Sequence, residues 1–469
     1  MKLVFIGGGA HRHLRIIRAV FDIEKISSGC EICLYDLNKE RARCMAELIK
    51  KTPEYKKSEC KISYEGKLEE FLESSDFVST VFMPGTRLSF ALGNEASLDH
   101  GFLASDNISF NGAFLALKGG PVILDIAKKM EKYCPSAILV NFVNPVPVMS
   151  ALVNNYTKIK CLGVCEGYTN HMWDLNRIIF SKDEENHDFD VDVCGVNHFS
   201  FILRGSYKGK DLFEILNSAI YKENWKKVKL NKIWSINSRK SMIKGLYRIV
   251  DIYKKFGILI FSSEGDGMSH LFYQDALNEV LKNRKKKTKG QIKKEIKMWE
   301  EMRKKEDERF FSFANKELDN DFWEYGWKKT GNLNFRKDKN SIFVKVIKGL
   351  SGEREKIVTS QLNKGAVKDF PERFVLEYSQ IIEGKNIKPV ENLFIPENMY
   401  GLISSLSQHQ TLLADAIYQK DPKILLHALF SYPVKQTYKE TKNLWKELLD
   451  INKDEIFSSF QKLKSFLNF

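Results

Sequence analysis

The chain has 469 residues, 43% hydrophobic and 12% aromatic, with a formal net charge of +14. That composition excludes disordered and fibrous classes, and the length allows two large lobes or about three units of roughly 150 residues. All eight cysteines precede residue 200, so reduced thiols are expected, not a disulfide framework. No apolar run approaches the roughly 18 residues that span a bilayer, so a soluble, cytoplasmic protein without a membrane partner is expected.

The first 165 residues alternate short β-rich runs with helical patterns. They read KLVFIG, a helix over His13 to Ile26, EICLYD, a helix over Lys39 to Lys51, CKISY, DFVSTVF, a helix over Ala113 to Lys132, AILVNF and IKCLGV. Such alternation predicts a parallel sheet with helices on both faces and right-handed crossovers, a Rossmann-type α/β lobe placed at 1–194. Cys30 and Cys33 fall within one strand, where period-2 alternation sends their sulfurs to opposite faces, so the C-x-x-C spacing is not a zinc knuckle.

Beyond Cys194 the texture changes to Phe199 to Tyr207 as a strand closed by YKGK, then helices over Arg239 to Phe256 and Met268 to Arg309. A second, mainly helical α+β lobe over 195–469 is expected, with an irregular connection near Asn320 to Phe335. Half of the charge excess lies in Lys282 to Arg309, with 13 Lys/Arg against 6 Asp/Glu. The segment mixes both signs and lacks the aromatic interleaving of a nucleic-acid groove, so a solvated helical face and no nucleic-acid partner are expected.

The first strand runs into IGGGAHRH and then a helical pattern, which sets Gly7 and Gly9 where a backbone can approach a pyrophosphate at a helix N-terminus. Arg12 stands where the third glycine of GxGxxG would fall. Asp36, 27 residues after Gly9, ends the second strand, where a carboxylate accepts hydrogen bonds from an adenosine ribose; a helix-capping role at Asn38 is the plainer alternative. Asp at that position favours NAD over its 2'-phosphorylated form. Further on, Cys165 closes one strand, and Asn197 and His198 close another in GVNHFSF. A thiolate and an imidazole at two strand ends can hold a divalent ion with positions left open, although each singly reads more readily as a core residue.

Several segments in this order are similar to the NAD-dependent family 4 glycoside hydrolases, relatives in fold of lactate and malate dehydrogenases. They are the glycine loop and LYD, NGAFLALKGGPVILDIAKKMEKYCPSAILVNFVNPV, the GVC turn at 163–165, GVNHFSF, and QLNKGAVKDFPERFVLEY followed by NIKPVENLFIPENM. The resemblance implies a glycosidase in which NAD+ oxidises the sugar C3 hydroxyl, a base removes the C2 proton, the aglycone leaves by elimination, water adds and the hydride returns. The two-carboxylate scheme of most glycosidases does not apply to this family.

Carried over residue by residue, the resemblance implies Cys165 and His198 as metal ligands, usually for Mn2+. It sets Gly7, Gly9 and Asp36 at NAD, Asn144 and Asn197 at substrate, and Asp106 beside the base. The IFSSEGDGMSHLFYQDAL stretch resembles the α-glucosidase-like branch and makes Asp266 the base, with Glu264, Tyr247 and Tyr253 in reserve. Asp266 reads equally as a helix cap. The metal cysteine is followed by Glu166, Gly167 and Tyr168, unlike the turns of named specificities; Glu166 is either a general acid or an exposed residue serving the next helix. Lys118 replaces a common arginine, and no arginine matches the one used by phospho-sugar members, which favours a non-phosphorylated α-hexoside or uronide. A homodimer or homotetramer acting on a small glycoside is implied. The competing readings are a 2-hydroxy-acid-type NAD dehydrogenase and a non-enzymatic NAD-binding sensor.

Overall fold

The computed structural model describes residues 1–184, 186, 188–231, 235–261, 267, 269–325 and 333–467. In chain order its strands are β1 (Lys2–Ile6), β2 (Glu31–Tyr35), β3 (Lys61–Ser63), β4 (Phe77–Thr80), β5 (Ile138–Asn141), β6 (Lys160–Gly163), β7 (Phe189–Val196), β8 (Phe199–Tyr207), β9 (Lys210–Asp211), β10 (Leu259–Ile260), β11 (Glu355–Leu362), β12 (Val375–Glu383) and β13 (Asn386–Pro389). The first six pair in parallel in the order β3-β2-β1-β4-β5-β6, which is the order of dinucleotide-binding sheets. Buried on both faces, these strands are near-continuous apolar runs, and alternation divides their side chains between two cores. Leu3 and Phe5 pack on one face, Val4 and Ile6 on the other; Cys30 and Cys33 part in the same way. All eight cysteines are free.

At β6 the sheet changes character. β11 joins it antiparallel through Ser360 and Gly163, and β12, β7, β8 and β10 continue antiparallel from there. One row of the sheet therefore runs Gly163, Ser360, Glu377, Gly195. Cys165 lies two residues beyond one end of this row, and His198 three residues beyond the other.

Several helices start where a side chain satisfies an orphan backbone N–H. Asn38 accepts from Arg41 to open Lys39–Lys50, and Ser109 accepts from Gly112 to open Phe110–Tyr133. The latter helix is long and apolar enough to cross a bilayer, with a mean hydropathy of 1.2 over its most apolar 18 residues, contrary to the expectation that no such segment exists. Because 78% of that stretch is buried inside the protein, it serves as a core helix.

Two other expectations need correction. The helix expected over His13 to Ile26 is His11–Val20 followed by a single turn at Glu24–Ser27. The one expected over Met268 to Arg309 is interrupted between Tyr273–Asn283 and Lys289–Phe311. Arg284 is pulled onto Glu95 and Asp99 of the helix Arg87–Asp99, and Thr288 with Gln291 forms a capping box that starts the second helix afresh. Within the connection expected near Asn320 to Phe335, residues Asn320–Tyr325 form a short helix.

Candidate active site

The turn after β1 is built around Gly7, whose φ of +82° lies in the left-handed region. A Cβ there would sit 1.8 Å from the Val81 carbonyl oxygen at the end of β4, so no side chain fits. Gly7 and Gly8 both donate to the Tyr35 carbonyl at 2.8 Å, which ties the loop to the end of β2. The Gly9 N–H donates to Asp36 Oδ2 at 3.0 Å, while Asp36 Oδ1 accepts from the Asn38 N–H at 2.9 Å. Asp36 thus stands beside the loop and also orders the start of the following helix. Gly7, Gly9 and Asp36 converge at the N-terminus of His11–Val20, beside the switch point between β1 and β4, where such sheets bind dinucleotides.

Cys165 and His198 come together. Cys165 Sγ lies 3.6 Å from His198 Nε2, although 33 residues separate them in sequence. His198 occupies the tight turn between β7 and β8 at φ +67°, an uncommon conformation for a side-chain-bearing residue that histidine adopts more readily than most. The Gly167 N–H approaches the sulfur at 3.4 Å. Bond lengths of about 2.3 Å to sulfur and about 2.1 Å to nitrogen at a near-tetrahedral angle put the two donor atoms about 3.6 Å apart, so the pair fits a first-row divalent ion. Among the described residues no group of three His, Cys, Asp or Glu forms a metal cluster, and a pair of protein ligands leaves positions for substrate oxygens or water.

Around this pair is a small cavity whose polar lining includes Asn197, His171 and Glu377. Asn197 is fixed from both sides: its carbonyl accepts from Asn107 at 2.6 Å, and its amide donates to Glu377 at 2.8 Å. Ser200 donates to the other Glu377 oxygen at 3.2 Å. Burial pushes the Glu377 carboxyl up, and Asn197, His198 and Ser200 offset part of that rise. His171 is driven down to about 3, mostly by burial and further by His198, so it is a neutral imidazole. Glu377 and His171 escape sequence reasoning; the one available signal was that Glu377 lies in the FVLEY segment that carries the family resemblance.

Asn144, just past β5, donates to Asp106 Oδ2 at 2.8 Å, so these two residues meet although 38 positions separate them. Glu166 is half-buried and accepts from Ser341; it is not among the residues lining the Cys165–His198 cavity. Burial raises its pKa, with Ser341 and Arg12 pulling the other way. It makes no side-chain cap for Gly167–Phe180. Lys118 is buried and donates to Ser89 at 2.9 Å beside Glu455. Asp266 and Glu264 lie outside the described residues. Of the reserves, Tyr253 bonds Asn217 at 3.0 Å, and Tyr247 is exposed with its ring edge-on to Trp225.

The chain is similar to known proteins along nearly its whole length. An alpha-galacturonidase of Thermoanaerobacter italicus is 24% identical over 471 residues, covering 96% of this chain and 96% of the relative. A 6-phospho-beta-glucosidase of Thermotoga maritima is 20% identical over 465 residues, covering 97% and 99%. A solved structure of the 6-phospho-beta glucosidase from Thermotoga maritima with manganese, NAD+ and glucose-6-phosphate superposes with a TM-score of 0.72 at 18% identity, covering 97% of this chain and 99% of that one. Residues 2–180 match the model of the family 4 glycosyl hydrolases and residues 193–434 that of the family 4 glycosyl hydrolase C-terminal domain, so the chain belongs to the family 4 glycosyl hydrolases.

Proposed function

We propose that this protein is a glycosidase acting on an α-linked hexuronide with the help of NAD and a divalent metal. The reaction proceeds by oxidation at sugar C3, proton removal at C2, loss of the aglycone from C1, addition of water and return of the hydride. The observation that carries this reading is the 3.6 Å Cys165–His198 pair, whose donor set suits a divalent ion. NAD+ and a divalent ion, when bound, would supply the hydride acceptor and the Lewis acid. The alpha-galacturonidase that matches over nearly the whole chain supports a uronide.

In this reading each residue has a defined task. Gly7 and Gly9 keep the loop backbone open to a pyrophosphate, and Asp36 receives the ribose. Cys165 and His198 hold the metal. Asn197, locked between Asn107 and Glu377, keeps one orientation toward the sugar, and the Asn144–Asp106 pair presents an amide and a carboxylate past the end of β5. Asp266 takes the C2 proton. Glu166, whose pKa is raised by burial, gives a proton to the leaving oxygen.

The test is a turnover screen of the purified protein against nitrophenyl α- and β-hexosides, α- and β-uronides and their 6-phosphates, with NAD+, Mn2+ and reductant present and each omitted in turn. Hydrolysis of an α-uronide that requires both NAD+ and Mn2+ is expected. Hydrolysis that needs neither would refute the mechanism.

A further inference from the structure

The cationic segment 282–309 is not merely a solvated face. One side of the helix Lys289–Phe311 lies across the glycine loop. Asp307 pairs with Arg41 and, at 2.8 Å, with His11 Nε2, and the His11 ring stacks on Phe310 with centroids 3.8 Å apart. Arg41 in turn donates to the Gly9 carbonyl at 3.0 Å. At the other end of the contact, the Arg87 guanidinium stands 3.8 Å from the centroid of the Trp299 ring, and Arg303 lies 5.2 Å from that same centroid.

Between this helix and the glycine loop is a cavity of about 600 Å³, lined among others by Arg12, Arg41, Arg87, Trp299, Arg303 and Asp307. Its charges do not cancel. Neither Arg12 nor Arg87 has an ion pair or hydrogen bond among the described residues, although Arg12 covers the Phe142 ring at 5.1 Å and acts on the Glu166 carboxylate; Arg303 is paired with Glu306 of the same helix at 2.7 Å. Burial and the nearby Arg303 lower the pKa of Arg87, and Glu300, also in the cavity lining, offsets only part of this, which is the condition an anion between the two guanidinium groups would relieve. An indole flanked by guanidinium groups also suits a flat heteroaromatic ring. The cavity is lined by Ala10, which follows the glycine loop, and by Arg41, which donates to the Gly9 carbonyl, whereas Cys165 and His198 line a different cavity.

We propose that the helix Lys289–Phe311 forms part of the dinucleotide site, with Trp299, Arg87 and Arg303 holding the adenosine diphosphate half of the cofactor. This rests on the reading of the protein as an NAD-dependent enzyme. Arg87 and Arg303 balance the two phosphate charges, Trp299 gives a stacking surface for the purine, and Asp307 holds Arg41 and His11 so that the helix stays docked on the loop. Arg87 begins the helix that follows β4, so the site joins both sides of the β1–β4 switch point.

Isothermal titration of the full chain with NAD+, ADP-ribose and nicotinamide mononucleotide, without metal or glycoside, tests the assignment. Failure of the unmodified protein to bind NAD+ or ADP-ribose would overturn the NAD reading itself. Given that binding, Trp299→Leu and Arg87→Met are each expected to weaken NAD+ and ADP-ribose by tenfold or more and to leave nicotinamide mononucleotide unchanged. Arg303→Met should flatten the salt dependence of ADP-ribose binding. ADP-ribose affinities within twofold of the unmodified protein in all three variants, with Asp36→Ala still weakening binding, would overturn the role of the helix and spare the NAD reading. Circular dichroism and thermal melting confirm that each variant is folded, and Trp299 and Arg87 are only half-buried, so loss of the fold is not expected.

Discussion

Replacing Asn197 by alanine tests the polar chain beneath the Cys165–His198 pair. Asn107, Asn197, Ser200 and Glu377 are all buried, at 4%, 2%, 1% and 6% exposure. The substitution deletes the acceptor of the 2.6 Å bond from Asn107 and the donor of the 2.8 Å bond to Glu377. Each of the two buried polar groups left unpaired costs about 1–3 kcal/mol, so a loss of about 2–6 kcal/mol is expected. The loss also depends on pH. Burial raises the folded-state pKa of Glu377, so its contribution to stability is fully present below the unfolded value and falls as pH rises through the folded one. Asn197 stabilises the ionised form, and without it the deficit should widen as pH rises above the unfolded carboxyl value. Guanidinium denaturation followed by both tryptophan fluorescence and circular dichroism measures this, coincidence of the two probes being the check on a single transition. Replacing Asn197 and Glu377 together by leucine should cost less than the sum of the single changes, with a coupling of about 1–3 kcal/mol. An Asn197→Ala loss below about 0.5 kcal/mol, or strict additivity in the cycle, would refute the reasoning, since surface substitutions alone stay within that range.

Gly7→Ala should lower the melting temperature and weaken NAD+ by tenfold or more, because the new methyl meets the Val81 carbonyl in a left-handed conformation that alone costs about 1–2 kcal/mol; calorimetry and titration check both. Burial depresses His13 to about 3 and His409 to about 4, so below the unfolded value near 6.5 the unfolded chain gains protons that the folded chain refuses. Stability should therefore fall by about 1.4 kcal/mol per pH unit for each histidine between about pH 6 and 4.5, and His409→Gln should remove one such increment from melting curves taken across that range. Glu166→Gln should slow glycosides with poor leaving groups about 100-fold and barely affect nitrophenyl glycosides; equal slowing of both would assign Glu166 another role. Cys165→Ser should abolish high-affinity Mn2+ binding as read by electron paramagnetic resonance, and unchanged binding would remove Cys165 from the metal site.

The parallel half of the fold was legible because buried parallel strands leave unmistakable apolar runs, and because glycine or aspartate closes β1 and β2 where the chain turns. The antiparallel half was less so. β11 (EKIVTSQL) and β12 (VLEYSQIIE) carry polar residues that are satisfied only across the sheet, as where Gln380 donates to Thr359 at 3.1 Å. Glu377 owes its position to the row shared with Gly163 and Gly195, a non-local register that no local pattern reveals. The break before Thr288 was written in the sequence as T-x-x-Q, yet the helical period on either side masked it. The charge of the following helix was equally visible, but which of its faces meets the glycine loop depends on Arg41 and Arg87, more than 200 positions away.

The strand order also explains how residues scattered along the chain come to one edge of the sheet. Asp36, Gly7, Val81, Asn144 and Cys165 follow the C-terminal ends of β2, β1, β4, β5 and β6, which lie side by side in that order. With neighbouring strands about 4.8 Å apart, the three steps from β1 to β6 separate the glycine loop from the thiol by about 14 Å along the sheet. On the proposed reading, that span would give a dinucleotide room to lie with its phosphates at the loop and its reactive ring toward Asn144 and Cys165. His198 cannot come from the parallel strands, because no further parallel strand follows β6 among the described residues; the antiparallel β7–β8 turn supplies it instead. A sheet that stayed parallel to its edge would not bring an imidazole to within 3.6 Å of the Cys165 sulfur. The change of strand direction at β6 is therefore what turns a nucleotide-binding lobe into a candidate glycosidase site.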